Sequence, residues 1–337
     1  MNPFTTNSRI VVTCSNRLSA YLEQEIVAIG YKPVRVFKTG VELLGNMKDC
    51  IRLNLQLRCA SQVLYSIKEF TAQDAPALYN QLIKIPWELL IPVNGYFSIS
   101  SNVTNETITN NLFANVKVKD AIADRFREKA GSRPDSGAEL TGVVIHLYWK
   151  EDKAELFIDS SGETLSKHGY RKIPGKAPML ESLAAATLLA TRWDKKSAFI
   201  NPMCGSGTVA IEAAMLAYNI APQINRQNFG FMRWENFDKK LWEKVREEAV
   251  LGQVVFQHKI YASDIDFKAV NSVGYNLEKA GMEGKAFLDG QLVKGGQMLG
   301  DLWFSAWQQA KEDTFLIRQL KERQAGKAGA SAPKKSN

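Results

Sequence analysis

The chain has 337 residues, of which 45% are hydrophobic and 23% are charged. This composition is typical of a folded protein of two or three domains and excludes a largely disordered chain. No run approaches the ~20 apolar residues that a membrane-spanning helix needs, so no membrane protein is expected. The N-terminus lacks the basic-then-apolar order of a signal peptide, so no secretory leader is expected either.

The charge balance is basic, with 43 Lys and Arg against 35 Asp and Glu and a formal net charge of +8. Such a balance often reflects contact with phosphate, so nucleic acid is a reasonable partner, although a solvated surface without a partner explains it equally well. The four cysteines form no CxxC pair, which excludes a zinc ribbon and argues against a disulfide scaffold. With three histidines as well, we expect no metal site and a reduced cytoplasmic protein.

The first 60 residues predict short strands and helices. Residues 9–14 (RIVVTC) predict an apolar strand, and helical spacing follows from Ser15, a candidate N-cap, to Gly30, a candidate C′ residue. Paired strands are expected at residues 34–37 and 39–44. Residues 49–59 (DCIRLNLQLRC) stay ambiguous, because the alternation favours a strand while the flanks also suit a helix.

The next hundred residues predict an α+β arrangement. Asp74 before Pro76 marks the start of a helix over residues 71–85. Further strands are expected at residues 96–103, 140–150 and 154–159, with a helix at 115–129 between the first two.

That last helix carries a run of basic residues, and Val116, Ala123 and Phe126 are expected to face the core. One interpretation is a surface that contacts RNA phosphates by shape and charge. The other is an ordinary amphipathic helix with a solvated face, which is locally the simpler one. The candidate RNA-contacting residues are Lys117, Lys119, Arg125, Arg127 and Lys129.

The pattern changes after residue 159. A turn-rich connector rich in Gly and Pro precedes a strongly helical segment at residues 179–191, so we expect the domain boundary near residue 165. At the other end, residues 325–337 (AGKAGASAPKKSN) predict a disordered basic tail.

The segment SAFINPMCGSGT predicts a strand, a glycine-rich turn and then a helix that begins near Thr208. Glycines allow a sharp turn and close approach of a ligand, and a helix N-terminus offers free N–H groups. The turn is not a Walker loop, since no GK[ST] follows, and not a GxGxxG fingerprint, since only Gly205 and Gly207 occur. Taken by itself, a lone GxG is a weak signal of a nucleotide-type ligand.

The next strand, residues 259–263, ends at Asp264. An acidic residue at the tip of the second strand of a βαβ unit can accept both hydroxyls of a ribose. Asp266 immediately precedes the following helix and suits an N-cap, so we assign the ribose to Asp264 and the cap to Asp266. Ile265 between them is a candidate to contact an adenine face, although an apolar residue there suits a core equally well.

The segments NPMCGSGTVAIEAAMLA and YASDIDFKAVNSVGYNLEKAG resemble motifs I and II of the THUMP-domain class I S-adenosylmethionine-dependent (SAM-dependent) RNA guanine-N2 methyltransferase family (RlmL-like). DSSGETLSKHGYR and APMLESLAAATLL resemble that family's linker and the helix before motif I. The resemblance implies a ferredoxin-like segment at 1–45, a THUMP domain that binds structured RNA at 46–160, and a Rossmann-like α/β methyltransferase domain at 165–310. An RNA partner, ribosomal or transfer, is implied with it.

The same resemblance implies roles for the site residues. The motif I residues would line the methionine and ribose side of SAM, Asp264 would hold the ribose, Ile265 would touch adenine, and Asp289 would stand near the adenine amino group. Motif I of the family usually begins with Asp, and an amide at this position removes a charge that would attract the cofactor's amino group. The motif I residues are Asn201, Cys204, Gly205, Ser206 and Gly207.

One family motif is absent. Enzymes resembling this family that methylate exocyclic amines use an Asn/Asp-Pro-Pro-Tyr/Phe motif to orient the target NH2 and to stack on the flipped base. This chain has no proline between Pro222 and Pro333, and residues 301–323 predict one helix instead. The methyltransferase domain is therefore expected to be incomplete, through truncation or loss of the reaction.

Three functions stay open at this point. An RNA guanine-N2 methyltransferase follows from the family resemblance, and we take it as the main hypothesis. A catalytically degenerate RNA-binding protein with a THUMP domain and a partial SAM site follows from the absent motif. A methyltransferase acting on a small molecule fits the basic N-terminal half less well.

Overall fold

A computed structural model of the protein describes residues 5–282, except 107, 109 and 176. The expected Asp289, the helix at 301–323 and the tail at 325–337 lie outside the described residues. The described strands are β1 (Ser8–Cys14), β2 (Pro33–Phe37), β3 (Gly40–Gly45), β4 (Ala60–Thr71), β5 (Tyr96–Thr104), β6 (Asp135–Gly137), β7 (Val143–Lys150), β8 (Lys153–Asp159), β9 (Phe199–Asn201) and β10 (Ile260–Ala262). The α-helices are α1 (Ser19–Ala28), α2 (Met47–Gln56), α3 (Ala75–Leu82), α4 (Asn111–Ala130), α5 (Glu181–Ala190), α6 (Thr208–Ala217), α7 (Lys239–Leu251) and α8 (Phe267–Lys279).

The N-terminal half is built on one mixed sheet of eight strands in the order β2-β3-β1-β4-β8-β7-β5-β6. The 12-residue strand β4 lies at the centre of this sheet, where it pairs antiparallel with β1 on one side and with β8 on the other. The expected strands are confirmed here, whereas β4 itself was not anticipated. Because its alternation is interrupted by the run Val63–Ser66, which is buried on both faces, β4 lacks the period-2 signal of a half-exposed strand.

The ambiguous segment at 49–59 is helical as far as Gln56. Its N-terminus carries a full capping box: the Asn46 side chain accepts from the Asp49 amide, and the Asp49 carboxylate accepts from the Asn46 amide. The prediction of Ser15 as the α1 N-cap is wrong. Residues 15–18 form a turn, and α1 starts after Leu18 without a side-chain cap.

The basic helix α4 begins four residues earlier than expected, where the Asn110 side chain accepts from the Leu112 amide. Its core face includes Ala123 and Phe126, as predicted, but Val116 is 50% exposed and that part of the prediction is wrong. The other buried positions are Ala114, Val118, Ala121 and Ile122, which keep the i, i+3, i+4 spacing of one helical stripe.

The second unit holds a two-stranded parallel sheet of β9 and β10, with α5 and α6 packed together and α6 against both strands. Helix α8 follows β10, and Asp266 caps it as predicted, accepting from the Lys268 amide at 2.9 Å. This order of strand, helix, strand and helix is the α/β pattern expected for this part of the chain. Among the described helices, none has both the length and the apolar character needed to cross a membrane.

Candidate cofactor site

The site forms where the two parallel strands β9 and β10 end side by side. Asn201 pairs with Ala262 in the register, and the Ser263 amide donates to the Asn201 carbonyl at 3.0 Å. One step further on, the Cys204 amide donates to the Ser263 carbonyl at 3.0 Å. The turns that leave the two strands are therefore held together at the carboxyl edge of the sheet, which is where ligands bind in open α/β sheets.

The glycine-rich turn has the backbone shape that requires glycine. Gly205 and Gly207 have φ values of +54° and +87°, in the left-handed region that other residues avoid. Gly207 is also the N-cap of α6 and provides no side-chain cap. The first N–H groups of α6 are thus left for an acceptor outside the helix.

Asp264, which follows the second strand as expected, lies beside this turn. One carboxylate oxygen accepts from the Gly205 amide at 2.8 Å and the other accepts from the Asp266 amide at 3.0 Å. Asp264 therefore fixes the two turns relative to each other. Each oxygen keeps a second lone pair, so the carboxylate can also accept hydroxyl hydrogen bonds.

The other candidate site residues differ in burial and in their capacity to form hydrogen bonds with a ligand. The Asn201 side-chain oxygen is buried and has no hydrogen-bond partner among the described residues. Burial, followed by the nearby Asp264 charge, raises the pKa of the Cys204 thiol to about 11, so this thiol is protonated at neutral pH and is no nucleophile. Ser206 is buried, whereas the Ile265 side chain is fully exposed and free to cover a flat ligand.

These features fit S-adenosylmethionine. The Asn201 oxygen can accept from the cofactor's ammonium group, Asp264 can accept from the ribose hydroxyls, and Ile265 can pack on the adenine. A Cβ built on Gly205 meets no atom of the described residues within 4 Å, so these residues leave space there for a ligand. Bound there, the cofactor supplies an electrophilic methyl group on a sulfonium.

Two further residues support the turn and were not singled out from the sequence. Asn276 on α8 is fully buried, and its amide nitrogen donates to the Ser206 carbonyl at 3.1 Å. Arg171 donates to the Thr208 hydroxyl at the start of α6 at 3.3 Å and to Glu181 at 3.0 Å. The sequence does contain one sign of the role of Asn276, because it lies on the side of α8 that also carries the apolar Val273 and Leu277. An amide buried on that side needs hydrogen-bond partners.

The basic residues of α4 lie in the N-terminal half, where α4 packs on α3 and β5. Three of them pair with acids of the same helix: Lys117 with Asp120 at 3.9 Å, Arg127 with Asp124 at 2.9 Å and Lys129 with Glu128 at 2.9 Å. These pairs are exposed or half-exposed and worth little, so phosphate can compete for the cations.

Arg125 differs from the other four. Its guanidinium donates to both oxygens of Glu88, at 2.9 and 2.6 Å, and to the Ile83 carbonyl at 3.2 Å. The side chain is only 16% exposed. Arg125 thus joins α4 to the segment after α3, a structural role that leaves its guanidinium unavailable for phosphate.

Across the described part of the chain, no group of three or more His, Cys, Asp or Glu side chains is arranged to hold a metal ion.

Protein-family profiles match three consecutive regions. The RlmL ferredoxin-like domain matches residues 9–64, the THUMP domain matches 72–159, and the RMKL-like methyltransferase domain matches 168–294. The first region ends within β4, and the second starts one residue after this strand. The third contains β9, β10 and the candidate site.

The chain is 36% identical, over 82% of its length, to the ribosomal RNA large subunit methyltransferase K/L of Magnetococcus marinus. It spans between 36% and 39% of the length of the curated relatives it matches. Among solved structures, a predicted N6-adenine-specific DNA methylase from Listeria monocytogenes is 31% identical with a TM-score of 0.74, over 85% of this chain and 73% of that one. SMU.472 complexed with SAH (S-adenosylhomocysteine) is 29% identical with a TM-score of 0.73, over 85% and 76% of the two chains. The chain therefore belongs to the RMKL-like methyltransferase family, in the form that carries an RlmL ferredoxin-like domain and a THUMP domain.

Proposed function

We propose that this chain carries the RNA-recognition and cofactor-binding parts of a SAM-dependent ribosomal RNA methyltransferase that acts on guanine N2. The observation that carries the proposal is the hydrogen bond from the Gly205 amide to the Asp264 carboxylate at the ends of two parallel strands. A carboxylate and a glycine turn in this position suit a nucleoside-type cofactor.

The chemistry of the site supports SAM as that cofactor. The Asn201 oxygen is buried and has no hydrogen-bond partner among the described residues. It suits the ammonium group of a methionine moiety, since a buried acceptor gains most from a charged donor. An amide in place of the family's usual carboxylate keeps this hydrogen bond and gives up the charge attraction. The affinity for SAM is therefore expected to be modest.

The RNA part of the proposal rests on the THUMP match, on the names of the curated relatives and on the basic helix. Lys117, Lys119, Arg127 and Lys129 are the proposed phosphate contacts, without Arg125. Lys119 has no ion-pair partner in the described part of the chain, so it is the strongest candidate among them. A ribosomal substrate implies a cytoplasmic site of action.

A second candidate function is an RNA-binding protein that binds SAM but does not transfer its methyl group. It is favoured by one observation: the stretch between Pro222 and Pro333 contains no proline, so an Asn/Asp-Pro-Pro-aromatic motif does not occur there. Methyl transfer to an exocyclic amine depends on in-line positioning, which contributes ~7–11 kcal/mol of the barrier in well-oriented reactions. Without a group that orients the amine, the chain would bind both ligands and transfer methyl groups very slowly.

The test is transfer of labelled methyl from SAM to large-subunit ribosomal RNA, to transfer RNA and to duplex DNA. Incorporation into ribosomal RNA at guanine, lost in Asp264→Ala, is the result expected of an active enzyme. Binding of both SAM and RNA without incorporation favours the second candidate. Incorporation into DNA alone would contradict the proposal and point to the activity for which the Listeria protein is named.

A further inference from the structure

The connector between the two halves lies along α6, the helix that follows the glycine-rich turn. Residues 168–175 (HGYRKIPG), here called the strap, start at His168, which bridges the Arg58 carbonyl and the Glu212 carboxylate of α6 at 3.1 and 2.6 Å. The strap then passes the N-terminus of α6, where the Tyr170 hydroxyl donates to the Thr208 carbonyl at 3.4 Å. It therefore runs along α6 toward the glycine-rich turn.

The far end of the strap lies against that turn. A Cβ built on Gly175 comes within 3.7–3.8 Å of the Ser206 amide nitrogen, Cβ and hydroxyl. Gly175 therefore lies close to Ser206, with room between them for little more than a methyl group. The strap thus lies near Ser206, while Asp264 holds the neighbouring Gly205 amide.

A single buried side chain joins the two. Asn276 on α8 accepts from the Lys172 and Ile173 amides at 2.9 and 3.0 Å through its oxygen. Its nitrogen donates to the Ile173 carbonyl at 2.9 Å and to the Ser206 carbonyl at 3.1 Å. Both donors of the amide and both lone pairs of its oxygen are used, and the residue is fully buried. No other side-chain chemistry of this size supplies two donors and two acceptors.

We propose that Asn276 is a positioning residue that holds the strap to the glycine-rich turn, and that SAM binds tightly only while this connection between strap and turn is intact. This inference rests on the proposed function. Its physical basis is that a buried amide with four hydrogen bonds fixes its partners, and loss of one partner leaves buried groups unsatisfied. Because the strap begins at the contact with Arg58, it also gives the N-terminal half a direct connection to the cofactor turn.

Two variants separate the two halves of this connection between strap and turn. Asn276→Leu removes all four hydrogen bonds. Asn276→Asp keeps the acceptors for the Lys172 and Ile173 amides but removes the donors to Ile173 and Ser206. Asn271→Leu is the matched control, since Asn271 is on the same helix and is exposed.

The experiment measures SAH affinity by calorimetry and amide hydrogen exchange of the strap in the full chain. Asn276→Leu is expected to speed exchange at Lys172 and Ile173 and to weaken SAH binding by about tenfold or more, the effect of ~1.4 kcal/mol. Asn276→Asp is expected to weaken SAH similarly while keeping most of the strap protection. Affinity for RNA should not change in either variant, which a general loss of folding would not allow.

The outcomes separate this proposal from the proposed function. If wild-type chain binds SAH and Asn276→Asp binds it equally well, the positioning role of Asn276 is overturned and the cofactor site stands. If wild-type chain fails to bind SAH, the proposed function fails and the positioning role fails with it. If Asn276→Leu does not fold, Asn276→Asp decides alone.

Discussion

His168 Nδ1 lies 2.6 Å from Glu212 Oε1, and both side chains are fully buried. Glu212 also faces the guanidinium of Arg58, with Nη1 at 3.8 Å, and the same guanidinium donates to the Met215 and Ile220 carbonyls at the end of α6. Three buried polar groups from the N-terminal half, the strap and α6 thus meet at one point. These three groups therefore connect the two halves of the protein.

We expect Glu212→Ala to destabilise the protein strongly, because it removes the buried carboxylate that contacts His168 at 2.6 Å and faces Arg58 at 3.8 Å. Removing one partner of a buried pair typically costs ~3–5 kcal/mol. Glu243→Ala is the control, since its partner Lys239 is 3.8 Å away and both are well exposed, and it should cost less than about 0.5 kcal/mol. Urea unfolding measures both, and equal costs would contradict a structural role for the buried cluster.

The two glycines of the turn are expected to respond differently to alanine. Both need a left-handed backbone, which costs a non-glycine residue ~1–2 kcal/mol. A Cβ on Gly207 would also lie 2.6 Å from a Val273 methyl group, while a Cβ on Gly205 has no neighbour within 4 Å in the part of the chain that the structure describes. Gly207→Ala should therefore lower the free energy of unfolding more than Gly205→Ala, as thermal unfolding can show. Equal effects would mean that the turn does not sit against α8.

The salt dependence of RNA binding tests the basic helix. Replacing Lys117, Lys119 and Arg127 with Ala should weaken binding to all RNA sequences alike. It should also reduce the slope of log K against log salt by about one for each phosphate that the variant no longer neutralises. Replacing Lys239, Lys240 and Lys244 on α7 removes the same charge elsewhere and serves as the control. If the two triple variants lose affinity equally, only net charge matters and α4 is not the contact surface.

Acid stability tests the structural role assigned to Arg125. Its hydrogen bonds hold the pKa of Glu88 below the usual 4.5. A depressed carboxyl pKa in the folded state adds stability that is present above pH 4.5 and is lost as the pH falls through the lower, folded value. Arg125→Ala should therefore reduce stability at pH 7 and flatten its decline below pH 4.5. A decline of unchanged steepness would contradict the pairing.

Local patterns are sufficient to predict much of the geometry of the candidate cofactor site. The turn glycines, Asp264 and the Asp266 cap each depend on a few neighbouring residues, and all lie where the sequence placed them. Asn276 could not be found in this way, because its partners are about 70 and 103 residues away along the chain. The residues next to such a side chain in the sequence give little indication of its hydrogen-bond partners.

Distant partners also explain why the structure of the N-terminal half differs from the sequence prediction at β4 and at Arg125. The long strand β4 is defined by its two neighbours, β1 and β8, which are far away in sequence. Helical spacing places Arg125 with the candidate RNA-contacting residues, because its partner Glu88, 37 residues earlier, leaves no local signal. Sequence spacing assigns a helix face, but it does not identify what that face meets.

The most direct test of the cofactor site is calorimetric titration of the chain with SAH, comparing wild type with Asp264→Ala and Asp266→Asn. Asp264→Ala removes the acceptor for both the Gly205 amide and the ribose, and hydrogen bonds to a charged group contribute about 1.5–3 kcal/mol, so binding should weaken by at least about tenfold. Asp266→Asn keeps the helix cap, since Asn and Asp cap equally well, and should bind as wild type does. Saturable wild-type binding that only Asp264→Ala weakens is the predicted result. Absence of wild-type binding, or equal affinity in Asp264→Ala, would contradict the assignment of the cofactor site.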